Sequence, residues 1–372
     1  MPQSLRSVFA FAFCCCGCDY TALSAAVGEH VVYHWDGSEE QLCGGTVAVA
    51  DRFVEAIPAY YGSSLENRGP NIQYFWGLPG QSSACAWGGA SECSVHLLTG
   101  FTVFSEIPLN THELAHTAKG GYGQPDFVNE GFATRWEQSE LLGGVPWRTA
   151  PSAVSEVGLR AQFALHLGTH VDYVMAHAWW VALETHYGPS KMGKLIEVLE
   201  GSGSAGDVEA ALQQVLGISL AESAALAASL PELFLDDPVC ELAGLPTLVW
   251  NGEPLVVERE HARCDDDDVV NLRGQRVSWL FALDFPMDWV AVDVEVTVPD
   301  NADLQQKSLV LSWCDGEISL DHMSATHFSA AHPDAPSTTK YLGGHYVAAL
   351  WGVLQADGSV EFPRAEFKES SP

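Results

Sequence analysis

The feature that most constrains this chain is Thr111-His112-Glu113-Leu114-Ala115-His116, followed after a short interval by Asn129-Glu130-Gly131-Phe132-Ala133. On an α-helix, residues four apart project only about 40° from one another. A helical His112 and His116 therefore aim both imidazoles at one point. Zinc accepts neutral imidazole and prefers four ligands, so this pair needs partners from elsewhere in the chain. Glu113 sits beside them but is turned away from direct ligation. It is placed to act as general base toward a zinc-bound water.

A third ligand follows from the next segment. In the metzincin pattern, glycine and a third histidine follow at fixed places. Here Lys119 and Tyr122 occupy those places, which excludes that class. Glu130 is the better candidate. Lys119-Gly120-Gly121-Tyr122-Gly123-Gln124-Pro125 reads as a loop, because glycines and proline do not continue a helix. Asn129 is expected to cap the next helix, so that Glu130 projects from its first turn. The loop then lets the two helices pack antiparallel and brings Glu130 back to the histidines.

At this point the sequence resembles the gluzincins, zinc peptidases with an H-E-x-x-H helix and a glutamate on the following helix. Asn129-Glu130-Gly131-Phe132-Ala133 is similar to the N-E-G-F-A of aminopeptidase-N-like enzymes. The resemblance spans roughly residues 90–200. It implies His112, His116 and Glu130 as zinc ligands, Glu113 as base and a peptide or protein as substrate. The spacer before Glu130 is shorter than in that family, and the G-x-M-E-N segment that grips a substrate amino terminus has no match. The stretch from Tyr173 through Ala176 and Trp179 to Leu183 and Tyr187-Gly188 resembles the helix after the metal helices in bacterial gluzincin-like domains. That likeness implies Tyr173 as a donor to the oxyanion of the tetrahedral intermediate. His177, one turn along, is the alternative donor, and a packing role is the other reading of Tyr173. Thr134 and Glu137 read as helix surface or as groups that orient a histidine.

The N-terminus reads as an export signal, with Arg6 ahead of an apolar run from Val8 to Cys16. Gly17-Cys18 resembles a bacterial lipoprotein signal with Cys18 as the lipidated residue. Cys14, Cys15, Cys16 or outright removal of the segment are alternatives. Beyond Cys18 lie Cys43, Cys85, Cys93, Cys240, Cys264 and Cys314, an even number that suggests disulfides in an exported chain. Cys85 and Cys93 flank a glycine-rich turn and are expected to pair. The other four leave three pairings open.

The net charge of -31 excludes nucleic acid as a partner, because phosphate binding needs clustered Lys and Arg. No segment past the signal reads as a membrane span, so membrane association is expected only through a lipid on Cys18. Cys264 to Asp268 reads as a solvated acidic loop, with calcium as the alternative; it lacks the spaced pattern of a calcium loop. His30, His34, His96, His166, His170 and His186 read as surface or satisfied core residues.

Strand patterns at Glu29 to Trp35, Asn71 to Trp76, Ser94 to Leu98 and Phe101 to Phe104 precede the motif, with a helix at Thr46 to Tyr60. Helices follow helices from Phe127 to Leu230. From Cys240 onward, short strand-like runs recur between turns. The expected fold is therefore α+β: residues 1–18 a signal, 19–239 a zincin-like metallopeptidase domain with a small sheet and a helical lobe, and 240–372 an all-β sandwich. The functional expectation is a zinc peptidase in which Glu113 activates the zinc-bound water. Its location is the bacterial envelope or the extracellular space. The alternative is a non-catalytic exported zinc-binding surface protein whose β-domain makes the interactions.

Overall fold

The computed structural model describes residues 23–37, 41–62, 72–77, 93–97, 100–119, 125–137, 139–142, 154–164, 171–200, 204–229, 237–242, 244–272, 274–297, 308–314, 325–329 and 338–370. The chain is mixed α/β, with a small sheet, a helical lobe and a large curled β-sheet.

The small sheet holds β1 (Ser24–Val27), β2 (Val31–Trp35), β3 (Ile72–Trp76), β4 (Cys93–Leu97) and β5 (Gly100–Ser105) in the order β1-β2-β3-β5-β4. β2, β3 and β5 run parallel, and β1 and β4 flank them antiparallel. Alternation decides the buried face: Val31 and Tyr33 on β2, and Ile72, Tyr74 and Trp76 on β3, all point into the core. Helix α1 (Gly44–Tyr61) connects β2 to β3 and buries Val49, Phe53, Val54 and Ile57 at helical spacing. Pro58 falls in its last turn, and Gly62 closes it by donating to the Pro58 carbonyl.

The helical lobe comprises α2 (Thr111–Ala118), α3 (Asp126–Glu137), α4 (Glu156–Phe163), α5 (Tyr173–Tyr187), α6 (Pro189–Val198), α7 (Ala205–Val215) and α8 (Leu220–Ser229). The helix expected at Tyr173 to Tyr187 has those bounds. α5 is apolar nearly all round, and Ala176 through Glu184 are buried, as befits a central helix. One expectation is corrected. Asn129 does not cap α3, because the helix starts earlier: the Pro125 carbonyl accepts from the Val128 and Asn129 amides. Glu130 therefore projects from the second turn.

The strands expected to form a sandwich form one curled, hydrogen-bonded sheet: β6 (Thr247–Val249), β7 (Leu255–Val257), β8 (Val269–Asn271), β9 (Arg276–Thr297), β10 (Ser308–Trp313), β11 (Ala325–Ser329), β12 (Thr338–Leu354), β13 (Val360–Glu361) and β14 (Arg364–Glu369). β9 and β12, of 22 and 17 residues, pair along most of their length. Their register shifts between Leu342 and Gly344, where Gly344 takes φ 84°. Both faces of the sheet are covered. Leu280, Val310, Val347 and Ala349 join the core of the helical lobe, whereas Phe281, Leu309, Leu311, Ala348 and Leu350 fill a second core. Adjacent residues on one strand thus serve different cores.

Disulfides join Cys43 to Cys264 and Cys240 to Cys314, which selects one of the three open pairings. The first ties the start of α1 to the acidic loop before β8. Gly44 and Gly45 make that approach possible: a Cβ on Gly44 would lie 2.8 Å from the Asp266 carbonyl oxygen. Cys93 is disulfide-bonded, and its expected partner, Cys85, lies outside the described residues, as do the export segment and Cys18. Among the described residues, no single helix is long and apolar enough to cross a membrane.

Candidate metal centre

The motif helix is wired to the small sheet at its first turn. Asn110 is the N-cap, its Oδ1 accepting from the Glu113 amide at 3.1 Å. Tyr74 of β3 donates its hydroxyl to the Ile107 carbonyl at 2.7 Å and accepts from the Asn110 amide at 2.9 Å. Asn110 Nδ2 reaches Ser105 Oγ, at the end of β5. Two neighbouring parallel strands therefore fix where α2 begins, and with it the direction of His112 and His116.

α3 lies beside α2 and returns its carboxylates to the histidines. His112 Nε2 stands 3.0 Å from Glu130 Oε2 and 3.1 Å from His116 Nε2, and His116 Nε2 stands 3.5 Å from Glu130 Oε2. The three expected ligands are thus gathered on one point. Tetrahedral zinc with ligand bonds of about 2.0–2.1 Å separates its donors by roughly 3.3–3.4 Å. The observed spacings bracket that value, and two imidazoles with one carboxylate form a donor set that suits zinc. The residues present therefore fit the ion. The side chains of His112, His116 and Glu130 are 13%, 13% and 19% exposed, so the cluster is screened yet reachable from solvent.

The opposite nitrogen of His112 is also engaged. Nδ1 stands 3.0 Å from Glu137 Oε2. Glu130 and Glu137 are seven residues apart, two turns along one face of α3, so a single helix supplies carboxylates to both ring nitrogens. Glu137 was expected on the helix surface or behind a histidine; the structure places it behind His112. Thr134 is buried and gives its hydroxyl to the Glu130 and Gly131 carbonyls rather than to a histidine.

Charge distribution follows from these contacts. Burial pushes the His112 imidazole down, but the hydrogen bonds to Glu130 and Glu137 and the charge of Glu113 outweigh it and hold it well above its ordinary value. Burial pushes the Glu130 carboxyl up, and His116 and His112 together overcome that and hold it well below the usual carboxylate range. The charge of Glu113, next to His112 on the motif helix, acts in the same direction on His112 and Tyr173.

Neither family models nor curated proteins give a match to this chain.

Tyr173 is the first residue of α5, and its ring centroid lies 6.1 Å from that of His112. Burial first, then the charges of Glu130, Glu113 and Glu137, push the Tyr173 pKa up, so it stays a protonated donor at neutral pH. His177 sits deeper, 1% exposed, and its pKa is lowered to about 3 by burial and by the Arg135 guanidinium. Of the two expected donors, Tyr173 has a ring contact with His112.

Gly131 explains how α3 and α5 come close enough for this. A Cβ there would lie 2.6 Å from the Ala176 carbonyl oxygen and 3.1 Å from Trp180 Cβ. Behind the site, Glu184 of α5 accepts from Arg135 Nε at 2.9 Å, Tyr60 at 2.9 Å, Tyr61 at 2.6 Å and Trp180 Nε1 at 3.0 Å. This buried network fastens α1, α3 and α5 to one another.

Two further residues went unread as parts of the site. Lys119 is buried at the end of α2, donates to Asn129 Oδ1, and lies 5.8 Å from the Phe132 ring centroid. Burial lowers its pKa to about 7 against the opposing pull of Glu130 and Asp126. Tyr74 was read only as part of a strand. The acidic loop carries its own cation: Arg259 Nη2 bonds Asp266 at 3.1 Å and Asp268 at 2.7 Å. That guanidinium occupies the carboxylates a calcium ion would use.

Proposed function

We propose that this protein is an exported zinc peptidase of the gluzincin type, with residues 19–239 forming the catalytic part and 240–372 a β-rich companion. The observation that carries the reading is the convergence of His112, His116 and Glu130 at tetrahedral donor spacing, with the Tyr173 ring against that of His112. Zinc bound there supplies a Lewis acid that polarises a scissile carbonyl and makes water acidic enough to ionise near neutral pH.

The chain's own residues supply the rest. Glu137 accepts the Nδ1 proton of His112 and so keeps the Nε2 lone pair directed at the ligand point. Glu113 takes a proton from the attacking water and returns it to the leaving amine. Tyr173 donates to the oxyanion as it forms. β4 is an edge strand of the small sheet among the described residues, and it packs beside α2. An extended peptide added to that edge would run past the site. The disulfides fit an oxidising compartment. A bacterial envelope location with a lipid on Cys18 completes the proposal.

The test is zinc analysis of the purified mature protein, followed by a peptide-library cleavage screen with and without chelator. The expected result is zinc in the protein and cleavage that the chelator abolishes. Zinc without cleavage of any peptide would favour the non-catalytic surface protein.

A further inference from the structure

A second group of metal-ligating side chains lies where β1 turns into β2. Glu29 and His30 sit on that turn, and Glu55 sits on α1. One donor atom from each lies within 4.8 Å of the other two. His30 Nε2 is 2.9 Å from Glu55 Oε1. None of these residues belongs to the elements that build the His112 cluster.

The backbone that presents two of the three donors is fixed. Asp51 of α1 accepts three consecutive amides: Glu29 at 2.6 Å, His30 at 2.9 Å and Val31 at 2.9 Å. Gly28 donates to the Val31 carbonyl and closes the turn. Gly28 also admits the carboxylate, since a Cβ there would lie 2.2 Å from Asp51 Oδ2. Asp51 and Glu55 are four apart on α1 and so lie on one face. One residue of that pair clamps the turn, and the other meets the imidazole the turn presents.

We propose that Glu29, His30 and Glu55 form a second divalent-metal site, one that takes a zinc-class ion and pins the β1–β2 turn to α1. The donor set is one imidazole and two carboxylates. It suits a borderline transition ion better than calcium, which prefers oxygen alone. Two carboxylates also balance a divalent charge. The side chains of His30 and Glu55 are 24% and 54% exposed, so water completes the coordination and the ion exchanges readily. The role is structural: the clamp steadies β1, the first described strand. This inference does not depend on the catalytic reading.

The test is calorimetric titration of chelator-stripped full-length protein with zinc chloride, beside variants. The wild type should bind two equivalents, and His30→Ala or Glu55→Gln should each bind one. A His112→Ala/His116→Ala variant should still bind one equivalent, and adding His30→Ala should remove it. Zinc should raise the melting temperature of the His112/His116 variant and leave that of the triple variant unchanged. The idea is overturned if His30→Ala and Glu55→Gln match the wild type in stoichiometry. It is equally overturned if the His112/His116 variant, folded by circular dichroism, binds no zinc.

Discussion

Glu137 Oε2 lies 3.0 Å from His112 Nδ1, on the side of the ring away from Glu130. A histidine that donates from one nitrogen to a carboxylate is a more basic and better oriented ligand through the other. Glu137→Ala should weaken zinc binding about 10–100-fold while leaving the fold intact, because the residue is partly exposed. Competition with a colorimetric chelator measures the affinity. Unchanged affinity would mean that Glu137 is only a surface neighbour.

Metal loading should release protons. In the metal-free protein His112 is held above its ordinary pKa by Glu130 and Glu137, against burial, whereas a zinc ligand must be neutral. Zinc affinity should therefore rise with pH until pH passes the raised value, then level off. The sign for the metal-free fold is opposite. A raised folded pKa contributes stability that is fully present below the unfolded value of about 6.5 and is lost as pH rises through the folded value. Titrations in buffers of different ionisation enthalpy count the protons. Zero release at neutral pH would contradict this assignment.

Gly131→Ala should separate α3 from α5. The added methyl meets the Ala176 carbonyl oxygen at 2.6 Å, so the helices must move apart. Overpacking of this kind costs about 1–3 kcal/mol. Because Glu130 is next to Gly131 and Tyr173 begins α5, activity should fall more than zinc content does. Peptide hydrolysis and zinc analysis of the same sample separate the two effects, and denaturant unfolding reads the stability cost.

Much of this was legible in sequence, and the exceptions have physical reasons. The meeting of His112 and His116 could be read because i, i+4 spacing fixes two imidazoles on one face whatever surrounds them. Tyr173 to Tyr187 could be read as a helix from its apolar density. Glu137 could not be placed, because its partner depends on where α3 starts. That start is set by the Pro125 carbonyl rather than by Asn129. β9 looks like two strands in sequence, Arg276 to Ala282 and Trp289 to Val298. In the structure one strand runs through, and the irregularity survives as the register shift against Leu342 and Gly344. The Arg135–Glu184 pair carries no local sequence signal at all, being 49 residues apart.

That pair should matter to the whole lobe. Both side chains are buried, at 3% and 2% exposed. Removing one partner of a buried ion pair strands the other, at a cost of about 3–5 kcal/mol. Glu184→Ala should therefore lower stability by that order in chemical denaturation. A loss below about 1 kcal/mol, the value of an exposed pair, would show that the network is not a structural tie.

In the proposed reaction, Glu113 does chemistry at a metal held by other residues. Peptide hydrolysis by zinc-loaded Glu113→Gln, measured beside zinc-loaded wild type, tests it most directly. The prediction is full zinc content in the variant, with turnover reduced about a hundred- to ten-thousand-fold. Equal turnover in the two proteins would contradict the mechanism.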